Sequence, residues 1–422
     1  MTNTTTIAQK PWVVDRDRLM QSIRQLAAVG KLPNGGVSRI AFSTEDLLAR
    51  QLVTTWMEEA GMRVRVDAAG NIIGRYDGKQ PNAPALATGS HIDTVPVGGA
   101  FDGCLGVLAG IEVVRVLREH NTRLNHPLEV IVFTDEERSV IGSKAMAGQI
   151  VEGADYYCRL DGTPIQPCLA KVGGNWDQIQ DAERDRRDLA AFVELHVEQG
   201  GVLEHLNLPV GVVTGVVGQY RFAVDIIGRP NHAGTTPMHL RQDALVAAAK
   251  IVLAVNQLAV ETPGEQVATV GYLNVSPNAT NTVPGKVDLR IDLRDLSDPH
   301  LNYLVHRLEE MIQAIAQETG TEISMRQTLH IHPTPAASHI MGTIEQVCEE
   351  MGVGYTHLPS RAGHDAQEIG RVTDMGMIFV PSRDGLSHSE LEYTSPEQCA
   401  DGATVLLRTF MKLDQFYSNR DR

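Results

Sequence analysis

The sequence predicts an α/β fold with two parts: a domain built on a mostly parallel β-sheet, and a second domain inserted into it. Two observations carry this prediction. Short apolar strands alternate with amphipathic helices in the first and last parts of the chain, which is typical of a sheet covered by helices on both faces. The middle of the chain instead has the order β-α-β-β-α-β. With 422 residues, 42% of them hydrophobic, the chain is long enough for two cores.

The first domain is predicted from the spacing of its apolar residues. Leu19, Ile23 and Leu26 lie on one face of a helix expected at about 15–30. Further helices are expected at 44–59 and 105–119. Strands are expected at 64–67, 71–74, 85–90 and 128–134. After the insertion, a strand at 377–380 and helices at 344–351 and 398–416 complete this domain. We therefore assign 1–212 and 330–422 to it.

The inserted domain is predicted at 213–329. Its strands are expected at 220–228, 266–275, 286–295 and 321–329. One helix is expected at 240–258, and an apolar stripe from Leu301 to Ile315 predicts the other. The order β-α-β-β-α-β is the split ferredoxin-like arrangement, a module that can form its own core.

Charge and composition exclude several kinds of partner. The formal net charge of −15 disfavours nucleic acid and anionic membrane surfaces, which would repel the protein. The five cysteines include no CxxC pair, so neither a disulfide framework nor a thiolate zinc site is indicated. Residues 1–16 have no secretory signal pattern, and no apolar run approaches the roughly 20 residues of a membrane span. We expect a soluble cytoplasmic protein.

His91 and Asp93 follow the expected strand at 85–90. Two residues apart in extended chain, their side chains point to the same side. A histidine that binds a metal usually needs a carboxylate or carbonyl on its other ring nitrogen, and Asp93 offers one. The alternative is a turn with a solvated histidine and aspartate.

Acidic residues stand at two other predicted element ends. Asp102 lies in the glycine-rich loop 98–103 before a helix, where it could bridge two metal ions or simply cap the helix. Glu136 and Glu137 follow an apolar strand. Adjacent carboxylates at a buried strand end repel each other, which indicates nearby cations or raised pKa values. One glutamate could bind metal while the other transfers protons.

The remaining histidine–acid groups strengthen the same hypothesis. Glu194, His196 and Glu198 share one face of a predicted strand. His388 and Glu390 form a further pair, and His364 with Asp365 another. A single histidine is more often structural or solvated, but several such groups at strand ends predict a dinuclear metal site.

These motifs, in this order, resemble those of the M20 peptidase-like amidohydrolases. The resemblance spans nearly the whole chain and is strongest to the carbamoylase branch, which contains N-carbamoyl-L-amino-acid hydrolase, allantoate amidohydrolase and β-ureidopropionase. The matching motifs are His91-Ile-Asp93, Phe101-Asp-Gly103, Glu136-Glu137, Glu194-Leu-His-Val-Glu-Gln-Gly200 and Ser387-His-Ser-Glu390. The inserted domain corresponds to the lid of that branch.

The resemblance implies a metallohydrolase with two divalent ions per subunit, either zinc or manganese, cobalt or nickel. One ion would be held by His91, Asp102 and His196. The other would be held by Asp102, as the bridging ligand, with Glu137 and His388. Glu136 would then be the general base, and Asp93 would orient His91.

The resemblance also implies the residues that contact the substrate. In the lid, His232 would stabilise the oxyanion, while Asn281 and Arg294 would bind a substrate carboxylate; Gln199 is a weaker candidate. Lid closure would bring His232 and Arg294 to the metals. Members of the branch form dimers through the lid, and some of their lid residues complete the partner's site, so we expect a homodimer here too.

The expected reaction is hydrolysis of the carbamoyl C–N bond of an N-carbamoyl-amino acid, giving the amino acid, CO₂ and ammonia. Allantoate amidohydrolase and β-ureidopropionase activities are alternatives within the branch. An aminoacylase or dipeptidase, or a catalytically inactive ligand-binding homologue, is a more distant alternative. Arg138 and Arg361 depart from the family pattern and could reshape the substrate pocket.

Overall fold

The computed structural model describes residues 12–159 and 161–420. Contacts divide the chain into two compact units, Met1–Gly215 with Pro335–Arg422, and Val216–Thr334. The sequence analysis placed the insertion at 213–329, a few residues earlier at each end. Of the segment 1–16, for which no secretory signal was predicted, residues 1–11 lie outside the described residues.

The strands are numbered in chain order. They are β1 (Arg63–Val66), β2 (Ile72–Tyr76), β3 (Ala85–His91), β4 (Leu128–Phe133), β5 (Leu189–Val197), β6 (Val210–Val216), β7 (Gly218–Ile227), β8 (Asn231–His232), β9 (Val267–Ser276), β10 (Thr282–Val283), β11 (Lys286–Asp295), β12 (Glu322–Ile331), β13 (Thr334–Pro335), β14 (Tyr355–Ser360) and β15 (Asp374–Val380). The predicted strand at 286–295 has the same ends as β11, because its strict alternation of apolar and polar residues fixes them.

The helices are numbered in the same way. They are α1 (Arg16–Ala27), α2 (Thr44–Glu59), α3 (Cys104–Glu119), α4 (Ile141–Met146), α5 (Ile165–Lys171), α6 (Val202–Leu206), α7 (Ala244–Glu261), α8 (Asp298–Thr319), α9 (Ser338–Met351), α10 (Asp365–Ile369) and α11 (Pro396–Arg420). Helix α2 begins and ends as predicted. Its start is fixed by Ser43, whose hydroxyl accepts a hydrogen bond from the Asp46 backbone and so caps the first turn.

The first unit contains a mixed nine-stranded sheet in the order β1-β2-β4-β3-β5-β15-β6-β13, with β14 paired to β6. Its centre, β4-β3-β5-β15, is parallel. Strand β1 pairs antiparallel with β2, β2 with β4, and β6 with β15. The prediction of a mostly parallel sheet was therefore wrong at the sheet's sides. A hairpin joins β1 to β2, and β2 then runs antiparallel to β4, a pairing that strand spacing alone does not reveal.

The parallel strands of the first unit are buried on both faces. Every residue of β3 and β4 is buried, and so is nearly all of α3, whose Gly106 and Gly110 lie against β3, β4 and β5. Such burial explains why β4 is apolar except at Glu129. Polar side chains are left for the ends of the strands.

The second unit has a four-stranded antiparallel sheet in the order β12-β7-β11-β9. Helices α7 and α8 pack on one face, to which β7 contributes Tyr220, Phe222, Val224 and Ile226, every second residue of the strand. A short two-stranded ribbon pairs β8 with β10. The long elements follow the order β-α-β-β-α-β along the chain.

Helix α7 is long and apolar enough to cross a membrane by composition alone, at 18 residues. The sequence analysis did not single out this segment as a span. One such helix is weak evidence, because the core helix of a globular protein passes the same test. Its buried face, which includes Ala247, Ile251 and Val255, contributes to the core of the second unit.

Candidate active site

The four parallel strands of the first unit end at one edge of the sheet. Strand β3 ends at His91, which is aligned with Phe133 at the end of β4. Strand β5 carries His196, aligned with Phe379 of β15. Ligands of such sheets bind beyond the carboxyl ends of the strands. The predicted polar residues of this unit gather at that edge because the strands are parallel and in register.

Asp102 lies at the centre of this group and is buried. Its Oδ1 is 3.2 Å from Nε2 of His196, and its Oδ2 is 3.3 Å from Nε2 of His388. Gln199 Nε2 and Ser387 Oγ also donate hydrogen bonds to Oδ2, at 3.0 and 3.1 Å. Burial alone would raise the pKa of Asp102, but the hydrogen bonds from His196 and His388 hold it well below its usual value.

Two buried histidines are fixed in the orientation that a metal ligand requires. The Nδ1 atoms of His91 and His196 each donate to a main-chain carbonyl, that of Asp93 at 3.0 Å and that of Val197 at 2.8 Å. With the N–H at Nδ1, Nε2 of each ring faces Asp102, and Nε2 of His196 also lies 3.2 Å from the Gly103 backbone nitrogen. A lone pair directed at a carboxylate is unfavourable unless a proton or cation lies between them.

Glu136 and Glu137 lie on two sides of this centre. Glu136 Oε2 is 3.5 Å from Nε2 of His91, and Glu137 Oε2 is 3.5 Å from Nε2 of His388. Burial, reinforced by the neighbouring carboxylates, raises the pKa of Glu136 well above its usual value. Burial likewise raises the pKa of Glu137 to about 7. Glu136 therefore contacts His91 and Glu137 contacts His388, so that the two carboxylates can serve different functions.

The donor set fits divalent metal ions. Ligand atoms of His91, Asp102 and His196 lie within 4.8 Å of one another, and so do those of Asp102, Glu137 and His388. Burial lowers the pKa of His91 to about 4, so that its ring is neutral at physiological pH and available as a ligand. Imidazole nitrogens and carboxylate oxygens are the ligands that zinc, manganese, cobalt and nickel share.

The backbone around the site is strained. Asp135, Gln199 and His388 have φ angles of 55°, 57° and 52°, a region that residues other than glycine seldom adopt. His388 is a predicted ligand, Gln199 hydrogen-bonds to the predicted ligand Asp102, and Asp135 directly precedes Glu136. Such strain persists where the surrounding structure over-determines a conformation, and it clusters at functional sites.

Asp93 and Gln199 contact other members of the site, and the roles predicted for them stay predictions. The Asp93 carboxylate is 3.8 Å from Nδ1 of His91, whose partner is the Asp93 main-chain carbonyl. Oδ2 of Asp93 instead accepts the backbone N–H of Glu137 at 3.3 Å. Gln199, expected to contact substrate, donates to Asp102. Both residues therefore position other members of the site.

The acids that flank His196 on β5 cap helices. Glu194 accepts hydrogen bonds from the Ser90 hydroxyl and the Ala366 backbone. Glu198 accepts the backbone N–H groups of Val202 and Leu203 at the start of α6. The partners of Glu198 are local in sequence, whereas those of Glu194 lie on β3 and in α10, far from it along the chain.

Glu392 is a member of the site that the sequence analysis missed. It is buried, and its Oε1 accepts the backbone N–H groups of Phe101 and Asp102 at 2.8 and 3.0 Å. Its Oε2 accepts the Ser387 hydroxyl at 3.1 Å. Glu392 thus ties the Asp102 loop to the segment that carries His388. Its position two residues after the motif Ser387–Glu390 was the available signal.

Arg39 is a second residue that the sequence analysis did not identify. It is fully buried and donates to the carbonyls of Ile92, Leu26 and Val29 at 2.6, 3.0 and 2.8 Å. Its backbone N–H donates to the hydroxyl of Thr94. The guanidinium therefore holds the segment between His91 and Thr94 against α1. No local pattern marks this role.

Two of the predicted substrate residues of the second unit lie on its short ribbon. His232 on β8 pairs with Thr282 on β10, and the Ala233 N–H donates to the Asn281 carbonyl at 2.9 Å. The side chains of His232 and Asn281 are exposed. Nδ1 of His232 accepts the backbone N–H of Gly234 at 3.0 Å, which leaves the ring proton on Nε2.

Arg294 lies at the opposite end of β11 from that ribbon. It is eight residues beyond Lys286, the end through which the ribbon joins the strand, or about 27 Å along an extended chain. Its Nε donates to Asp292 Oδ1 at 2.8 Å on the same strand. Arg294 is therefore paired with a carboxylate of its own strand in this structure.

The two arginines that depart from the family pattern lie in the first unit. Arg138 is exposed and donates to the Cys158 carbonyl at 2.6 Å. Arg361 is half-buried directly after β14. Arg138 is thereby tied to a neighbouring loop. That Arg138 or Arg361 shapes the substrate pocket stays a prediction.

The mixed α/β sheet and the imidazole and carboxylate groups at its edge define the class of this protein, a hydrolase. Its family follows from a direct match. The family model for Peptidase family M20/M25/M40 matches residues 87–412, which is most of the chain. The chain belongs to this family.

Relatives and solved structures agree over nearly the full length. An N-carbamoyl-L-amino acid amidohydrolase of Geobacillus stearothermophilus is 40% identical over 96% of this chain and 100% of its own. An allantoate amidohydrolase of Bacillus subtilis is 35% identical over 94% of this chain and 98% of its own. A crystal structure of a hydantoinase/carbamoylase family amidase from Burkholderia multivorans has a TM-score of 0.90 at 36% identity, covering 95% of this chain and 98% of that one. The protein is accordingly an amidohydrolase that acts on amide C–N bonds.

Proposed function

We propose that the protein hydrolyses the carbamoyl C–N bond of an N-carbamoyl-L-amino acid, releasing the amino acid, CO₂ and ammonia. The observation that carries this proposal is that two ligand groups share Asp102 while Glu136 lies 3.5 Å from the ligand His91. The names of the relatives favour this substrate class, because the relative at 40% identity is an N-carbamoyl-L-amino acid amidohydrolase.

Two divalent ions would be held by His91, Asp102 and His196 and by Asp102, Glu137 and His388. When bound, such ions lower the pKa of water and polarise a carbonyl oxygen. The orientation of the histidines supports this assignment, since carbonyl acceptors fix Nδ1–H and leave Nε2 for the cation. Which of zinc, manganese, cobalt and nickel binds is a matter for metal analysis.

Glu136 is the proposed general base. Its buried carboxylate is next to the ligand His91 but belongs to neither ligand group. It would take a proton from the attacking water and deliver it to the leaving nitrogen. Its raised pKa suits both steps, since a carboxyl group with a pKa nearer neutrality accepts and returns a proton more readily.

We assign oxyanion stabilisation to His232 and carboxylate binding to Asn281 and Arg294. The hydrogen bond from Gly234 to Nδ1 of His232 supports the first role, because it keeps the proton on Nε2, where a donor to an oxyanion is needed. Arginine suits the last role, since its planar fork bonds both oxygens of a carboxylate. In this assignment the second unit is a ferredoxin-like lid.

The separation of these residues within the second unit supports a homodimer. His232 and Asn281 join one end of β11, and Arg294 lies at the other end, about 27 Å away along the strand. A small substrate is much shorter than this span. We therefore propose that Arg294 serves the site of its own chain and that the ribbon serves the site of a second copy.

Exposed apolar residues on the second unit are consistent with such a dimer. Strand β9 is an edge strand, and its Tyr272 and Leu273 are exposed. On α7, Leu253 and Val260 are 69% and 75% exposed. Edge strands with exposed apolar side chains are normally covered, which favours a second copy at this face.

The free state of all five cysteines supports the expected cytoplasmic location.

Hydrolysis of allantoate is the second candidate function, favoured by the 35% identity to an allantoate amidohydrolase. Ammonia release should be measured with metal-loaded enzyme on N-carbamoyl-L-amino acids, N-carbamoyl-β-alanine, allantoate and N-acyl-amino acids. We expect the highest kcat/KM for an N-carbamoyl-L-amino acid. A higher value for allantoate would replace the first proposal by the second.

The same assay tests the role of Glu136. Glu136→Gln should retain its bound metal, and its kcat should fall by about 10²–10⁴-fold, which is the usual contribution of a general base. Glu198→Gln is the matched control, because that acid caps α6 and is assigned no proton transfer. A Glu136→Gln enzyme with near wild-type turnover would disprove the assignment.

The dimer proposal is tested by mixing two inactive variants, Arg294→Ala and His232→Ala. If each active site takes Arg294 from one chain and His232 from the other, a mixed dimer contains one intact site. Random exchange should then restore about a quarter of wild-type activity, from half the dimers with one site each. If mixing restores nothing while exchange is verified, all these residues act within one chain.

A further inference from the structure

A second histidine–carboxylate group lies in the second unit, apart from the residues assigned to catalysis. It consists of Asp298, the first residue of α8, with His330 on β12 and His332 just beyond it. A ligand atom from each lies within 4.8 Å of the others. The two histidines are two residues apart at a strand end, so that their side chains lie on the same side.

Two polar atoms of this group are buried and have no hydrogen-bond partner among the described residues. They are Nε2 of His330 and Oδ1 of Asp298, 3.9 Å apart. That separation is too long for a hydrogen bond. Burying such atoms unpaired costs free energy, so each calls for a partner that lies between them.

The spacing fits a metal ion better than a direct bond. Two ligand atoms each about 2.1 Å from a tetrahedral zinc ion are about 3.4 Å apart, within about half an ångström of the observed separation. His332 is also in place, with Nδ1 2.7 Å from Asp298 Oδ2 and its ring 4.1 Å from that of His330.

The neighbours of His330 hold its ring in position. It stacks on Tyr220 at 4.1 Å between ring centroids, with an interplanar angle of 11°. The Tyr220 hydroxyl in turn donates to Asn302 of α8 at 2.9 Å. Helix α8 therefore carries both Asp298 and Asn302, the residue that anchors the Tyr220 ring. These contacts limit rotation of the His330 ring, so that its position relative to Asp298 is fixed.

We propose that Asp298, His330 and His332 form a separate binding site for a divalent cation of the zinc class. Two imidazoles and one carboxylate leave a fourth position for water or another ligand. The bound ion would join the last strand of this unit to the start of its last helix. The proposal is independent of the proposed function, because none of the three residues has a role there.

The test is metal content of the full chain after chelation and dialysis against buffered zinc at pH 7.5. His332→Ala, at an exposed position, should bind about one zinc ion per chain less than wild type. It should also gain less thermal stability from zinc while its kcat/KM stays unchanged. Asp298→Asn should give the same loss. His306→Ala is the matched control, since that exposed histidine pairs with one glutamate on α8 and should bind as much zinc as wild type.

The outcomes separate clearly. Equal zinc content in wild type, His332→Ala and Asp298→Asn would overturn the proposal. Equal losses in His332→Ala and His306→Ala would also overturn it, by indicating non-specific binding to surface histidines. Loss of activity without loss of zinc in Glu136→Gln bears only on the catalytic proposal, so failure of one can be told from failure of the other.

Discussion

Gly103 offers a sharp test of the geometry at the candidate metal centre. This glycine precedes α3 and has a φ of +63°. A β-carbon built on it would lie 2.4 Å from Nε2 of His91 and 2.5 Å from two ring carbons of the same histidine. Gly103→Ala therefore places a methyl group against the atom of His91 that we assign to the metal, and the ring has to move.

The expected magnitude has two parts. A side chain in the left-handed region costs about 1–2 kcal/mol for any residue other than glycine. Displacement of His91 adds the loss of its carbonyl hydrogen bond, about 1 kcal/mol, and of one ligand of the ion. The stability loss should therefore be modest, about 2–3 kcal/mol. Catalysis depends on sub-ångström placement and should fall by at least about 10²-fold.

Gly35→Ala is the matched control. Gly35 has a φ of +97° and no neighbouring atom within 4 Å of its built β-carbon. It carries comparable backbone strain without a clash. Both variants should be assayed for the free energy of unfolding by urea titration, for bound metal and for kcat/KM. If Gly103→Ala retains activity within a few-fold of Gly35→Ala, His91 is not held as the structure indicates and the reasoning fails.

Two other predictions follow from particular contacts. Burial alone would raise the pKa of Asp414, but hydrogen bonds from His126 and the backbone hold it below its usual value. Its stabilising effect is present above the unfolded pKa of about 3.9 and lost as the pH falls through the folded value. Asp414→Asn should therefore be less stable near neutrality and should flatten the fall in unfolding free energy below about pH 4; an unchanged pH profile would contradict this. His388→Ala should lower bound metal by about one ion per chain, and elemental analysis giving full occupancy would refute its assignment.

The fold was predictable where one residue pattern has one structural meaning. Strand β11 was identified with its exact ends, because four buried aliphatic residues alternate with polar ones. The parallel centre of the sheet was also inferred from alternating strands and helices. The antiparallel sides were not, because the direction in which β2 meets β4 depends on tertiary pairing. Short helices such as α4 and α10 have too few residues for a periodic signal.

The site residues that could be predicted from the sequence are mainly those that lie at the ends of strands. His91, Glu136, Glu137 and His196 follow or end parallel strands, so the sheet itself brings them to one edge. Arg39 lies 53 residues from its partner Ile92. Glu392 lies about 290 residues from the loop it holds. A single sequence gives no sign of such pairings, because a buried arginine and a surface arginine look the same in it.

The same physics connects the supporting residues to the proposed cations. Burial, together with neighbouring acids, raises the pKa values of Asp93, Glu136 and Glu137. The folded chain thus concentrates groups that repel one another when ionised. Cations at the two ligand groups would offset this repulsion, and a ligand that binds only the folded state stabilises it. Metal binding and folding are therefore linked at this edge of the sheet: the carboxylates that make the site reactive also make the metal-free fold less stable. The hydrogen bonds of Arg39 and Glu392 hold the backbone there against that repulsion.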